Sequence, residues 1–122
     1  MIKVTENKVE LREIIAEGML EKKAFDVIIM DLRQLKESVV DYFVICSANS
    51  DTQVDAVAES VKDEVYKATK QLPWHSEGKK NKEWILLDYV NVVAHIFKKD
   101  KRDFYALEEL WGDAKIVNID NI

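Results

Sequence analysis

Apolar positions recur along this chain with two periods, and their order lays out an α/β domain. From about Lys8 to Lys23, Leu11, Ile14, Ile15, Gly18 and Met19 fall at i, i+3, i+4, i+7 and i+8, one stripe of an amphipathic helix. Asn7 is placed to cap it, with Glu10 three residues on. Ala24 to Met30 reads as a strand, since Val27-Ile28-Ile29-Met30 is a continuous apolar run of the kind that is covered on both faces. Leu32 to Val40 is mixed and polar, a connection. Tyr42-Phe43-Val44-Ile45-Cys46, rich in aromatic and β-branched residues, makes a second strand.

Ser50 with Gln53 three residues later is a capping-box pattern. Behind it Val54, Val57, Ala58, Val61, Val65 and Ala68 mark one face of a helix that runs to about Lys70 and is stopped by Leu72-Pro73. A short strand is expected over Trp74 to Glu77, then a polar, basic turn from Glu77 to Lys82. Trp84–Asp88 and Val92–Phe97 follow with a short connection and are expected to pair as a hairpin, although the turn lacks an Asn-Gly or Asp-Gly signal. Asp100 is placed to cap a last helix, in which Phe104, Leu107 and Trp111 share a face. The tail from Lys115 to Ile122 has a strand-like composition but no evident partner. The expected order is αββαβββα, a mixed sheet of about five strands with flanking helices.

Composition narrows the function. At 122 residues one domain is the default, and roughly two-thirds of the unfolded surface can be buried without staples. Hydrophobic residues make up 48% with only 3 Gly and 1 Pro, which suits a packed globular protein. The formal net charge of −5 argues against generic binding to a phosphate backbone, so no DNA partner is expected, and it is compatible with a basic protein partner. The single cysteine, Cys46, sits in an apolar run and reads as a buried thiol in a reducing compartment. No signal peptide and no membrane-length apolar run is present, so a cytoplasmic protein with no membrane association is expected.

The chemistry of sites is sparse. His75 and His95 with one Cys do not make a zinc signature, and no metal site is expected. No G-x-S-x-G, P-loop or G-x-G-x-x-G occurs, and no cofactor is implied. Asp63-Glu64 and Glu108-Glu109 are adjacent on helices and face different ways. The aromatics are more informative. Alternation puts Trp84, Leu86 and Asp88 on one face of their strand and Ile85 and Leu87 on the other. If Ile85 and Leu87 face the helices, Trp84 and Asp88 form an aromatic and acidic outer surface, the composition of a protein interface. If helices cover both faces, Trp84 is core. Both readings stand at this point.

The blocks DYFVICSANSDTQVDAVAESV, HSEGKKNKEWILLDYVNVVAHIF and RDFYALEELWGDA, taken in order, closely resemble the ribosomal silencing factor (Iojap) family, over about Val9 to Ala114. That resemblance implies a small α/β domain with a nucleotidyltransferase-like sheet that works as a binding protein and not as an enzyme. It implies docking on the large ribosomal subunit through a basic ribosomal protein, L-fourteen, which sterically blocks joining of the small subunit and damps translation when nutrients are scarce. It also implies a homodimer when free. On the same resemblance Trp84, Asp88, Tyr89, His95, Tyr105 and Glu108 are the partner-binding positions.

The chain departs from the family at Ala48, where Gly is usual, and at Thr52, where Arg is usual. It also departs in Asp88-Tyr89-Val90-Asn91, where D-Y-G-D is common. Val90 leads to the expectation that this turn does not need a positive φ, because a β-branched residue resists that region. Two alternatives accompany the resemblance, a divergent nucleotidyltransferase-fold enzyme and a dimeric adaptor for another partner. Nucleotidyltransferases carry a G-S motif and a D-x-D carboxylate pair that hold two metals. Ala48-Asn49-Ser50-Asp51 offers neither, and D-x-D occurs nowhere in the chain.

Overall fold

The computed structural model describes residues 10–35, 38–105, 112 and 114–119, with backbone alone for 103–105. The first helix, α1 (Leu11–Glu21), begins a turn later than the periodicity suggests, with Glu10 at the cap position making no side-chain cap bond. Asn7, the expected cap, lies outside the described residues. The predicted stripe is the buried one: Ile14, Ile15, Ala16, Gly18 and Met19. Gly18 allows a close crossing with α2 (Asp51–Thr69), because a Cβ there would lie 3.0 Å from the Val61 Cα. At that crossing Ser60 Oγ donates to the Gly18 carbonyl at 2.7 Å, which satisfies a buried hydroxyl.

The start of α2 is built as its sequence pattern implies. Ser50 Oγ accepts from the Gln53 amide at 3.1 Å, and Gln53 Oε1 accepts from the Asn49 amide at 2.6 Å. The Gln53 side-chain amide also donates to the carbonyls of Lys22 and Lys23, at 3.0 and 3.1 Å. One glutamine thus completes a cap and fastens the start of α2 to the end of α1. Lys70, at φ 63, closes the helix in the left-handed conformation.

Between and after the two helices run β1 (Phe25–Asp31), β2 (Tyr42–Ala48), β3 (His75–Glu77), β4 (Trp84–Asp88), β5 (Val92–Lys98), the short helix α3 (Lys99–Tyr105) and β6 (Lys115–Asn118). The strands form one mixed sheet in the order β3-β4-β5-β2-β1-β6. Among the described strands only β2 and β5 are parallel neighbours, and every other pair is antiparallel. The expected five strands become six. The tail segment pairs with β1, Asn118 opposite Ile28 and Lys115 opposite Asp31. All four residues of β6 are exposed, so no burial pattern marked it as a strand, and pairing at the sheet edge makes it one.

The α1 and α2 side of the sheet holds the main core, in which Ile85, Leu87, Ala94, Ile96, Val44 and Cys46 meet Ile15, Met19, Val57 and Val61. Each of the larger aliphatic side chains there contributes about 1.5–3 kcal/mol by leaving water. A smaller cluster of Ile28, Met30, Leu32, Ile45 and Phe97 occupies the other face, with Phe43 and Trp84 packed at its margin. β1 is therefore covered on both faces, as its unbroken apolar run implied.

The β4–β5 connection corrects one expectation. Val90 has φ 78, and the Asn91 amide donates to the Tyr89 carbonyl at 3.0 Å, a γ-turn with a positive-φ centre. The turn does need the left-handed region, and a β-branched residue is held there. Asp88 Oδ1 accepting from the Val90 amide at 2.7 Å, and Tyr89 N–H donating to the Val92 carbonyl at 2.9 Å, over-determine it. Val90 is 57% exposed, so little packing is lost by trimming it. Val90→Gly is expected to stabilise the fold by about 1 kcal/mol, read as a raised denaturant midpoint; a lowered midpoint would show that the turn is unstrained.

Candidate protein-docking face

Register places the candidate surface. Trp84 lies opposite Phe97, Leu86 opposite His95 and Asp88 opposite Val93, while Glu77 and His75 of β3 lie opposite Leu86 and Asp88. These residues share the face of the sheet turned away from α1 and α2. The burial of β4 alternates as predicted, with Ile85 and Leu87 buried and Trp84, Leu86 and Asp88 part-exposed. Among the described elements α3 packs on β5 and β2. The surface is short, aromatic and acidic, with Glu77 exposed beside His75 at 2.7 Å.

The predicted site residues fall into three groups. Trp84 and Asp88 lie on this face. Tyr89 and His95 do not reach a free surface, being 5% and 3% exposed. Tyr89 turns to the α1–α2 side, where burial pushes its phenol up to about 12 and its hydroxyl has no hydrogen-bond partner among the described residues. Tyr89 bends to that side after the strand ends, whereas His95 stays on the outward face of β5 and lies underneath Trp84. Tyr105 is described only as backbone in α3, and Glu108 lies outside the described residues.

Under Trp84 the aromatic packing is ordered. The indole stacks on Phe97, centroids 5.0 Å apart, and its Nε1–H donates to His95 Nδ1 at 3.0 Å. Phe43 presents its ring to the imidazole at 4.5 Å in a T-shaped contact. Burial pulls His95 down to about 3, so the ring is neutral at ordinary pH.

Arg102 was not legible as a structural residue, because it sits in a basic run that reads as solvated. It is 8% exposed, and its Nη1 donates to the Asp26 carbonyl at 2.7 Å and to Ser47 Oγ at 2.9 Å. Asp26, at φ 52, forms the bulge where the β1–β2 register shifts. The arginine thus ties α3 to a bulged strand, and only the three-dimensional pairing reveals it.

Among the described residues no three His, Cys, Asp or Glu side chains gather as a cation site. A groove of about 500 Å³ between Glu59, Lys62, Tyr66 and Leu72 lies on α2, away from the β4 face. No helix among the described residues is long and apolar enough to cross a membrane.

These features define a small α/β domain with a mixed sheet whose outward face carries Trp84 part-exposed. Residues 5–122 match the family described as "Ribosomal silencing factor during starvation", and the chain belongs to that family. It is 39% identical over 114 residues to the ribosomal silencing factor of Bacillus subtilis, covering 93% of this chain and 95% of that one. It is 33% identical over 105 residues to the chloroplastic Iojap protein of Zea mays, covering 86% of this chain and 45% of that longer one. A crystal structure of a Chromobacterium violaceum protein superposes with a TM-score of 0.78 at 33% identity, covering 88% of this chain and 90% of that one. The family is named for regulation of the ribosome and for no reaction.

Proposed function

We propose that this chain is a cytoplasmic translational repressor. It docks on the large ribosomal subunit through the basic protein L-fourteen and so blocks association of the small subunit when nutrients are limiting. The observation that best supports a docking role is the outward face of β4, where Trp84, Leu86 and Asp88 stand part-exposed beside Glu77. An aromatic anchor with carboxylates around it suits a basic partner, since the ring contributes buried area and the acids steer encounter. A chain of net charge −5 reaches a ribosome more readily through a basic protein than through RNA phosphates. When free, the protein pairs with a second copy.

Cosedimentation with purified large subunits tests the reading. Wild-type protein is expected to pellet with large subunits and to reduce their reassociation with small subunits. Trp84→Ala is expected to weaken binding by about 2 kcal/mol, roughly 30-fold, while Tyr66→Ala on the exposed side of α2 binds normally. Absence of wild-type binding would refute the function; full binding by a folded Trp84→Ala would refute the site.

A further inference from the structure

His95 is an uneconomical choice for an interior position. Its Nε2 is buried without a hydrogen-bond partner among the described residues, a cost that an apolar side chain of similar size avoids. Its other nitrogen, Nδ1, accepts from the Trp84 indole at 3.0 Å. An imidazole nitrogen accepts only when it carries no proton, so the buried ring is the neutral Nε2–H tautomer. Stacking on Phe97, with 24° between the planes, sets the tilt of the indole. The bond to Nδ1 adds a directional restraint on its N–H edge. Phe43 holds the imidazole itself from the β2 side, with 78° between the rings.

From this geometry we propose that His95 is a positioning residue for the docking face: it orients the Trp84 indole for a protein partner without touching that partner. The role rests on the docking reading above. An indole already held in one orientation loses less conformational freedom when a partner covers it, so binding is tighter than for a loose ring. The partner side requires a protein groove that takes a flat aromatic edge, and the charge around it favours a basic one.

The test uses the full chain and purified large subunits, with His95→Leu, His95→Asn, Trp84→Phe and the double variant His95→Leu/Trp84→Phe. Asparagine places an amide oxygen near the position of Nδ1, whereas leucine fills the space with no acceptor. His95→Leu and Trp84→Phe are each expected to bind about tenfold more weakly. The double variant is expected to be no weaker than the worse single variant, because both remove one interaction. His95→Asn is expected to recover most of the affinity. In the free protein the Trp84 indole N–H should exchange slowly with solvent in wild type and His95→Asn, and rapidly in His95→Leu. This exchange reads the bond directly, and Trp84→Phe and the rescue by asparagine decide the matter if His95→Leu fails to fold. Wild-type binding together with equal binding by His95→Leu, additive losses in the double variant, or no rescue by asparagine would overturn the positioning role alone. No binding by the wild type would instead overturn the docking reading.

Discussion

As the pH is lowered from about 7.5 to about 4.5, the protein is expected to lose about 3 kcal/mol of folding stability, and His95→Leu to remove most of that slope. The sign follows from where the proton binds. The folded pKa of His95 is about 3, against 6.5 for an exposed histidine, and the cause is burial. The unfolded chain therefore takes up a proton that the folded chain refuses. The neutral ring's contribution is intact above the unfolded value and is lost as the pH falls from 6.5 toward 3, at about 1.4 kcal/mol per pH unit. Other shifted groups act lower. The Arg33 hydrogen bonds hold Asp31 down at about 2, and the Lys62 hydrogen bond lowers Glu59, so their contributions are lost as the pH falls through the ordinary carboxylate range. Between about pH 6.5 and about pH 5 the slope is therefore set by His95 among the shifted groups of the described residues. Urea midpoints at several pH values check the slope, and a wild-type midpoint that stays flat across the interval would show that His95 titrates normally. Forced protonation also ends the acceptor role toward Trp84, so the acid transition should begin with the indole.

Gly78→Ala is expected to cost about 3 kcal/mol, the largest loss expected from adding a single methyl group here. Gly78 stands between β3 and β4 with φ 91, a region L side chains avoid, and that alone costs about 1–2 kcal/mol. The second cause is contact. A Cβ at this position would overlap the Trp84 carbonyl oxygen and sit 2.9 Å from its carbon and 3.1 Å from the Ile85 Cα. All three are backbone atoms of β4, which β5 holds in register, so the loop must move and β3 with it. The loop is anchored further by the Lys82 amide donating to the Gly78 carbonyl at 2.9 Å and by Lys79 and Lys82 reaching Glu59 and Asp55 at 3.6 Å. Lys80→Ala, changing an exposed side chain of the same loop, should stay within about 0.5 kcal/mol of wild type. Equal midpoints for the two variants would show that the loop adapts freely.

What could be read from the chain depended on whether a residue's role was local. The cap at Ser50 and Gln53, the α2 stripe from Val54 to Val65 and the alternation of Ile85 and Leu87 against Trp84, Leu86 and Asp88 are set by spacing of a few residues and are found as expected, whereas Ala68, expected on the α2 stripe, is exposed. The strand at Lys115–Asn118 needed a partner nearly ninety residues away, so its composition alone said little. Val90 misled because a hydrogen-bonded turn outweighs the preference of one side chain. At the candidate site, alternation placed Trp84 and Asp88 on the outer face. It could not show that Tyr89 bends inward after the strand ends, nor that His95, on the same face as Trp84, lies underneath it. The second point follows from register across β4 and β5, which pairs Leu86 with His95 and leaves Trp84 one step diagonal to the ring.

The lone parallel pairing, β2 with β5, divides the sheet into two antiparallel halves, β3-β4-β5 on one side and β2-β1-β6 on the other. The β1–β2, β3–β4 and β4–β5 pairings join residues close in sequence, whereas each β2–β5 pair joins residues about fifty positions apart and β6 meets β1 nearly ninety positions away. Closing these long loops costs entropy before any contact repays it, so a folding barrier is expected where the β1–β2 and β4–β5 hairpins meet. Mutations in the β4–β5 hairpin should then chiefly speed unfolding, while those that weaken Val44–Ala94 pairing should slow folding. The β2–β5 seam also sets Phe43 of β2 against His95 of β5, so the packing beneath Trp84 is complete only when the two hairpins have joined.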